Sequence, residues 1–190
     1  GIVKLLRKIF IGTALCEGVG ALLLATRFIP EFGLVKGIYY SIFHAISAFC
    51  NAGFDLMGGQ QQYASFTAYA TDPVINITLM LLIIVGGLGF VVWSDVVLKR
   101  FRWKNYCLHT KMVISVTLLL IFGGALFLFL FEQGGTISGM STGDQILASL
   151  FGSVTARTAG FNTVDTGALQ PESKLLTIAL MFIGGSPGST

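Results

Sequence analysis

The sequence predicts an all-α membrane protein made of repeated units, each with a span, a short re-entrant helix, a glycine-bearing loop and a second span. The first observation behind this prediction is composition. Apolar residues make up 54% of the 190 residues, charged residues only 11%, and the mean hydropathy is +0.80. A soluble domain carries about a quarter charged residues. The other two observations are long apolar segments and an internal repeat.

Four apolar segments are long enough to cross or enter a bilayer core, which takes about 20 helical residues. The first, 9–26, is interrupted by Glu17, whereas 74–94 and 112–131 carry no charge. The fourth starts near Leu175 and runs into a glycine-rich stretch. Two further apolar stretches are too short to span and predict helices that dip into the membrane and stop: 38–49 and 146–155.

The basic residues predict the orientation, because loops rich in Lys and Arg stay in the cytoplasm. If the spans alternate, most of the basic residues fall on one side, which is therefore predicted to be cytoplasmic together with the N-terminal end: Lys4, Arg7, Lys8, Lys99, Arg100, Arg102, Lys104 and Lys111. Beside a membrane span, the basic loop 99–111 is expected to meet anionic headgroups, and no nucleic acid partner is expected.

The internal repeat divides the chain into two units, 1–110 and 111–190. Asn-Ala-Gly-Phe-Asp at 51–55 returns as Thr-Ala-Gly-Phe-Asn at 158–162. The same spacing separates a proline from a Gly-Gly pair in both units: Pro73 from Gly86-Gly87, and Pro171 from Gly184-Gly185. Proline suits the first turn of a helix. Each proline therefore predicts a helix start, and each Gly-Gly pair predicts a place of small side chains about four turns into that helix. Two units in the same orientation fit an axis along the membrane normal.

The repeated glycine break indicates a cation pathway. Irregular backbone survives at membrane depth only where it is buried in protein or lines water. Gly53 and Gly160 can adopt backbone angles closed to other residues, which allows several carbonyls to point one way. Such carbonyls replace the hydration shell of a monovalent cation, and the negative C-terminal end of a re-entrant helix favours the same charge.

These motifs resemble a known family. Ser-Ala-Phe-Cys-Asn-Ala-Gly-Phe-Asp at 47–55 and Thr-Ala-Arg-Thr-Ala-Gly-Phe-Asn-Thr at 155–163 are similar to the second and third pore loops of the Trk/Ktr/HKT cation transporters. Gly-Gly-Ser-Pro-Gly-Ser-Thr at 184–190 resembles the break in that family's third pore-lining helix. The likeness covers the whole chain and is greatest to the Ktr potassium uptake branch. That family places four such units around one pore, and this chain holds the second and third.

The resemblance implies potassium uptake through a carbonyl-lined selectivity filter with an intramembrane gate. The implied filter residues are Cys50, Asn51, Ala52, Gly53, Phe54, Arg157, Thr158, Ala159, Gly160 and Phe161. Within that set, potassium would be held by the backbone of Asn51, Ala52, Gly53, Thr158, Ala159 and Gly160. The implied gate residues are Gly184, Gly185, Ser186, Pro187, Gly188, Ser189 and Thr190.

The resemblance also implies partners and location. Potassium is the expected substrate, with sodium as a second ion, and no cofactor is expected. The family's membrane subunit is a homodimer that meets a cytosolic ring of nucleotide-binding regulatory subunits of the KtrA type. The expected location is the bacterial plasma membrane, with several passes through the lipid bilayer and a cytoplasmic N-terminal end.

Arg157, beside the second glycine, is expected to point away from the pore and pair with Asp144 or Asp165. Several alternatives to a potassium pore remain open: an alternating-access carrier, a sodium-permeable member of the family and a non-conducting scaffold. Gly-x-Ser-x-Gly at 184–188 matches the hydrolase nucleophile pattern. That pattern needs a strand before the serine and a histidine after it, whereas both histidines come earlier in the chain. We therefore expect no enzyme.

Overall fold

The computed structural model describes residues 2–59, 64–99, 102–186 and 188–189. Within these residues the chain forms helices joined by loops and short 3-10 turns, without strands. The predicted all-α membrane class is confirmed. The helices in chain order are α1 (Ile2–Phe32), α2 (Leu34–Phe49), α3 (Pro73–Gly87), α4 (Phe90–Leu98), α5 (Leu108–Phe131), α6 (Thr142–Thr158) and α7 (Pro171–Ile183).

Two of the described helical segments, Leu6–Phe32 and Leu108–Gly134, are each long and apolar enough to cross a membrane alone. They contain the predicted spans 9–26 and 112–131. Large apolar side chains such as Phe10 remain exposed along them. In a bilayer these side chains meet lipid, which explains why so much apolar surface is stable outside the core.

The predicted span 74–94 is not one continuous helix. It consists of α3 and α4, which meet at 93° across a short break. Gly89 sits in this break with a φ of +85°. The Trp93 indole N–H donates to the carbonyl oxygen of Val85 (2.8 Å) and so links the two helices across the bend. Counted together, the pair makes a third candidate span.

The two short helices predicted at 38–49 and 146–155 are present, and each begins four residues earlier than expected. α2 starts directly after α1, with Gly33 between them at a φ of +83°. Ser141 precedes the first residue of α6, and its hydroxyl oxygen accepts the backbone N–H of Asp144 (3.3 Å). Serine at this position satisfies one of the free N–H groups of a helix start.

Proline opens α3 and α7, as predicted. At α3 the Asp72 carboxylate accepts the N–H groups of Val74 (2.8 Å) and Ile75 (3.2 Å) and pairs with Arg27. At α7 the buried Glu132 carboxylate, which follows α5, accepts the N–H of Gln170 (2.8 Å). In each half of the chain a carboxylate therefore accepts backbone N–H groups at the start of the helix that begins with proline.

The core brings the two halves together. α1 packs against α2 and α3, α5 packs against α6 and α7, and α3 contacts α6 across the middle. Ser153 on α6 donates to the carbonyl oxygen of Ile121 on α5 (2.9 Å). The largest wholly buried apolar side chains come from both halves: Phe28, Phe49, Phe66, Phe151, Phe161, Leu24, Ile75, Leu79 and Ile83.

Candidate functional site

The two repeated glycine motifs lie side by side, although the sequence separates them widely. The first glycine loop, residues 50–56, follows the C-terminal end of α2, and the second, residues 159–163, follows α6. Gly53 has a φ of +71° and Gly160 a φ of +93°. A Cβ atom on Gly53 would overlap the carbonyl oxygen of Ala159. The close approach of the loops therefore requires glycine at position 53.

The end of α2 shows how the first loop leaves its helix. Asn51 has a left-handed φ of +52°, and the N–H of Ala52 donates back to the carbonyl oxygen of Ser47 (2.9 Å). Asparagine tolerates this conformation better than most residues, and helices often end in this way. Cys50 and Asn51 thus form the turn that sends the chain back from the helix end.

A hydroxyl near the end of each short helix holds the loop that follows. Ser47 Oγ donates to the carbonyl oxygen of Phe54 (2.7 Å), and Thr155 Oγ1 donates to that of Phe161 (2.8 Å). The Thr155 oxygen also accepts the N–H of Gly160 (3.1 Å). Sequence reasoning missed these roles. The available signal was a hydroxyl residue five or six positions before each repeated glycine.

One side-chain hydrogen bond joins the loops where they leave their helices. Thr158 Oγ1 donates to Asn51 Oδ1 over 2.9 Å. Gly87, the last residue of α3, lies below this pair, since a Cβ there would stand 3.9 Å from Thr158 Oγ1 and 4.0 Å from Asn51 Nδ2. The predicted filter residues Asn51 and Thr158 are therefore brought together.

Several backbone oxygens at the two loops have no hydrogen-bond donor among the described residues, although that of Ala159 packs against Gly53. Within the described part of the chain, no hydrogen bond reaches the carbonyl oxygens of five residues: Ala52, Gly53, Thr158, Ala159 and Gly160. A carbonyl left without a partner inside a membrane protein is costly unless water or an ion occupies it. The ends of α2 and α6 add their negative partial charge at the same place.

The glycine-rich stretch after α7 packs against the bend between α3 and α4. Ser186 Oγ lies within donating distance of the carbonyl oxygens of Gly87 (2.9 Å) and Leu88 (2.8 Å). The N–H of Phe90 donates to the carbonyl oxygen of Gly188 (3.4 Å). A Cβ on Gly185 would stand 2.8 Å from the methyl group of Thr158. This part of the predicted gate therefore lies directly beside the loops.

The remaining predicted gate residues are placed as follows. Gly184 ends α7 with a φ of +65°, and the N–H of Ser189 donates to the carbonyl oxygen of Ser186 (3.2 Å). Pro187 and Thr190 lie outside the described residues.

The predicted pairing of Arg157 with Asp144 or Asp165 is wrong. The ion pairs among the described residues involve other side chains. Asp144 instead accepts the Ser141 hydroxyl (2.7 Å), and Asp165 accepts the N–H of Gly167 (2.8 Å), so both acids serve local turns. Arg157 is half-buried, and its Nε has no hydrogen-bond partner among the described residues. It lines a small gap between α3 and α5 together with Gly185.

The hydrolase-like motif has no base beside its serine in the described structure. The Ser186 hydroxyl is engaged by the two backbone carbonyls at the bend. The buried His44 bonds through Nδ1 to the carbonyl oxygen of Tyr40 (2.7 Å), and its Nε2 accepts the N–H of Leu56 (3.0 Å). A serine that is activated by histidine lies within hydrogen-bond reach of it, whereas here each side chain bonds to backbone groups, so this arrangement supports a structural role for both.

Comparison with known proteins identifies the relatives of this chain. Residues 2–190 match the cation transport protein family TrkH. The potassium/sodium uptake protein NtpJ of Enterococcus hirae is 43% identical over 191 residues, which covers 100% of this chain and 41% of that protein. The Ktr system potassium uptake protein B of Bacillus subtilis is 38% identical, covering 100% of this chain and 42% of that protein.

The Ktr system potassium uptake protein B of Vibrio alginolyticus is also 38% identical, covering 98% of this chain and 41% of that protein. The chain therefore spans about two fifths of the length of these relatives. The match over nearly every residue, together with the identities to these transporters, shows that the chain belongs to the TrkH family of cation transport proteins.

Proposed function

We propose that residues 1–110 and 111–190 are two pore repeats of a potassium uptake protein, and that their glycine loops form half of its selectivity filter. One observation carries this proposal. Two repeated loops meet at the ends of two short helices. Among the described residues, no hydrogen bond reaches the carbonyl oxygens of Ala52 and Gly53 in the first loop, Ala159 and Gly160 in the second, and Thr158 at the end of α6.

The chemistry of these oxygens suits a dehydrated monovalent cation. A ring of carbonyl dipoles replaces the water around such an ion, and the number and field strength of those dipoles discriminate between ions. The positive φ of Gly53 and Gly160 supports a backbone path in which successive carbonyls face one axis. The C-terminal ends of α2 and α6 add attraction for positive charge.

Potassium is the proposed substrate, with sodium as the second ion. The names of two relatives support this choice, since one is a potassium/sodium uptake protein and the other a potassium uptake protein. Ion flow is proposed to be passive and directed inward by the membrane potential, which contributes about 2.3 kcal/mol per charge per 100 mV. The protein carries out no covalent chemistry and needs no cofactor in this scheme.

The stretch 184–190 is proposed to act as the gate of this pathway. Its contact with Gly87 and Leu88 through Ser186, and the closeness of Gly185 to Thr158, support a position next to the filter. Among the described residues of this stretch, Ser186, Gly188 and Ser189 are held by hydrogen bonds outside any helix, and such a segment moves at lower cost than a packed helix. This makes it a suitable element for opening and closing the path.

The assembly and location are proposed from the family resemblance. The whole protein is a homodimer in a bacterial plasma membrane and meets a KtrA-type cytosolic ring. The cytoplasmic side is the one that carries the N-terminal end and the basic loop 99–111, which is supported by the concentration of Lys and Arg there.

The test uses the full-length parent protein in a bacterium deficient in potassium uptake. Gly160→Ser places a side chain on a residue with a φ of +93°, in open space at the second glycine loop. We expect it to abolish growth at low potassium and rubidium uptake, with normal protein abundance in the membrane. Gly139→Ser is the matched control, because that glycine lies on an outer loop with open space around it and no positive φ. Wild-type uptake by Gly160→Ser would reject the filter.

An alternating-access carrier is the second candidate, and the 93° break between α3 and α4 favours it. Secondary carriers use such broken helices around a central site. The two candidates differ in the number of ions moved per second. Uptake that reaches channel-like rates in reconstituted vesicles supports the pore, whereas saturation at carrier rates supports the alternative.

A further inference from the structure

The outer part of the N-terminal half reaches across to the second glycine loop through residues 64–66, which we term the strap. The N–H of Phe66 donates to the carbonyl oxygen of Asn162 (2.8 Å), and the N–H of Asn162 donates to Ser65 Oγ (3.2 Å). Both backbone groups of Asn162 are therefore held by the other half of the chain, two residues after Gly160.

The conformation of the strap is itself fixed by its surroundings. Ser65 is buried and has a left-handed φ of +48°. Such angles are uncommon outside glycine and persist only where neighbouring structure imposes them. Asn76, wholly buried on α3, holds the turn that follows the strap, because its Nδ2 donates to the carbonyl oxygens of Tyr69 (2.8 Å) and Asp72 (2.7 Å).

The side chain of Phe66 links the outer ends of both glycine loops. It is wholly buried, and its ring lies 5.4 Å from that of Phe161 and 5.0 Å from that of His44, both edge-on. His44 in turn accepts the N–H of Leu56, the last residue of the first loop. Phe66 therefore contacts the second loop directly, at Phe161, and the first loop indirectly, through His44.

We propose that Ser65 and Phe66 are positioning residues that determine ion selectivity through the second glycine loop. Neither touches the ion. Discrimination between monovalent cations depends on how carbonyl dipoles are arranged, and a binding site must be held within about 0.5 Å of its working geometry. The second loop has no helix or strand pairing of its own, so the strap fixes its outer end while Thr155 fixes its inner end.

This inference rests on the proposed filter, and its test measures ion preference in the full-length protein reconstituted in vesicles. Ser65→Gly removes the hydroxyl but accepts the positive φ, so the variant is expected to fold. We expect its KM for potassium to rise between about twofold and tenfold, the change that one hydrogen bond supports, and its preference for potassium over sodium to fall. Ser65→Asn keeps an acceptor and tolerates the left-handed angle, so it is expected to restore both values.

The matched control is Ser138→Gly, because that exposed serine bonds only to Gly135 in its own loop. The inference is overturned if Ser65→Gly keeps the wild-type KM and ion preference, or if Ser138→Gly changes them equally. If Ser65→Gly does not accumulate, Phe66→Leu replaces it, since that change removes the ring contact with Phe161. A wild-type KM and ion preference in Phe66→Leu would then overturn the inference. Loss of rubidium uptake in Gly160→Ser without any change in the strap variants would reject the strap alone and leave the filter in place.

Discussion

At the scale of single residues, the hydroxyl of Thr155 makes two hydrogen bonds to the second glycine loop. It donates to the carbonyl oxygen of Phe161 and accepts the N–H of Gly160, so one atom spans the glycine that the loop depends on. Ser47 makes only the first of these bonds in the other loop. The Thr155 hydroxyl therefore holds the second loop on both sides of the bond between Gly160 and Phe161.

Thr155→Val keeps the shape of this side chain and removes both hydrogen bonds. The carbonyl of Phe161 loses its donor, and the N–H of Gly160 keeps only its bond to the backbone carbonyl oxygen of residue 155 (3.2 Å). We therefore expect the free energy of unfolding to fall by about 1–3 kcal/mol and rubidium uptake to decrease. Thermal unfolding in detergent and uptake in cells measure the two effects. Thr177→Val is the control, since that hydroxyl bonds only within α7. Equal effects from both variants would count against a special role for Thr155.

At the same scale, the sequence identified the pair of glycines but not the difference between them. A Cβ on Gly53 would overlap the backbone of the other loop, whereas one on Gly160 would face open space. Local sequence shows the need for a positive φ and cannot show what lies opposite. The wrong pairing of Arg157 has the same cause, because Asp144 and Asp165 were chosen by their nearness along the chain while each serves its own turn.

At the scale of elements, the bend between α3 and α4 and the glycine-rich stretch after α7 form one joint. Ser186 reaches the two carbonyls exposed where α3 ends. The sequence predicted the Gly-Gly pairs as places of small side chains and the two prolines as helix starts, since both predictions depend on local chemistry. It did not predict the bend, because residues 74–94 are almost uniformly apolar and give no local sign of a break. The change of direction is visible only in the structure, where the Trp93 indole N–H bonds to the carbonyl oxygen of Val85.

Ser186→Ala removes this hydrogen bond without changing the volume of the side chain greatly. If the stretch restricts the path, its release is expected to raise resting potassium uptake by about twofold to tenfold, the range for one hydrogen bond. Rubidium influx in cells with equal protein abundance measures this change. Ser94→Ala provides the comparison, because the Ser94 hydroxyl bonds only to Val91 within α4. Reduced or unaltered influx in Ser186→Ala would contradict a restricting role.

At the scale of the whole molecule, the two halves are joined where function is proposed. Contacts between them include the pair Thr158 and Asn51, the approach of Gly53 to Ala159, and the packing of α3 on α6. Composition and repeats predicted the fold class and the two halves. The contacts between halves depend on three-dimensional packing over long sequence separations, which no local pattern contains.

Passive flow through such a molecule predicts a limit on accumulation. At an inside-negative potential of about 100 mV, a monovalent cation that follows the potential alone reaches an inside-to-outside ratio of about 40- to 50-fold. We expect rubidium in vesicles containing the full-length protein to approach this ratio and to leave when the potential is removed. Accumulation that persists without a potential, or that tracks a sodium gradient, would indicate coupled transport.

The close approach of Gly53 to Ala159 has a consequence for biosynthesis. Ribosomes deliver the N-terminal half first, so the first glycine loop enters the membrane before the backbone that packs against it has been made. Until then its open oxygens have only lipid, water or the translocation machinery as neighbours. Maturation of the pathway is therefore expected to be a late, post-insertion event, and a chain halted after residue 110 is expected to be a substrate for membrane quality-control proteases.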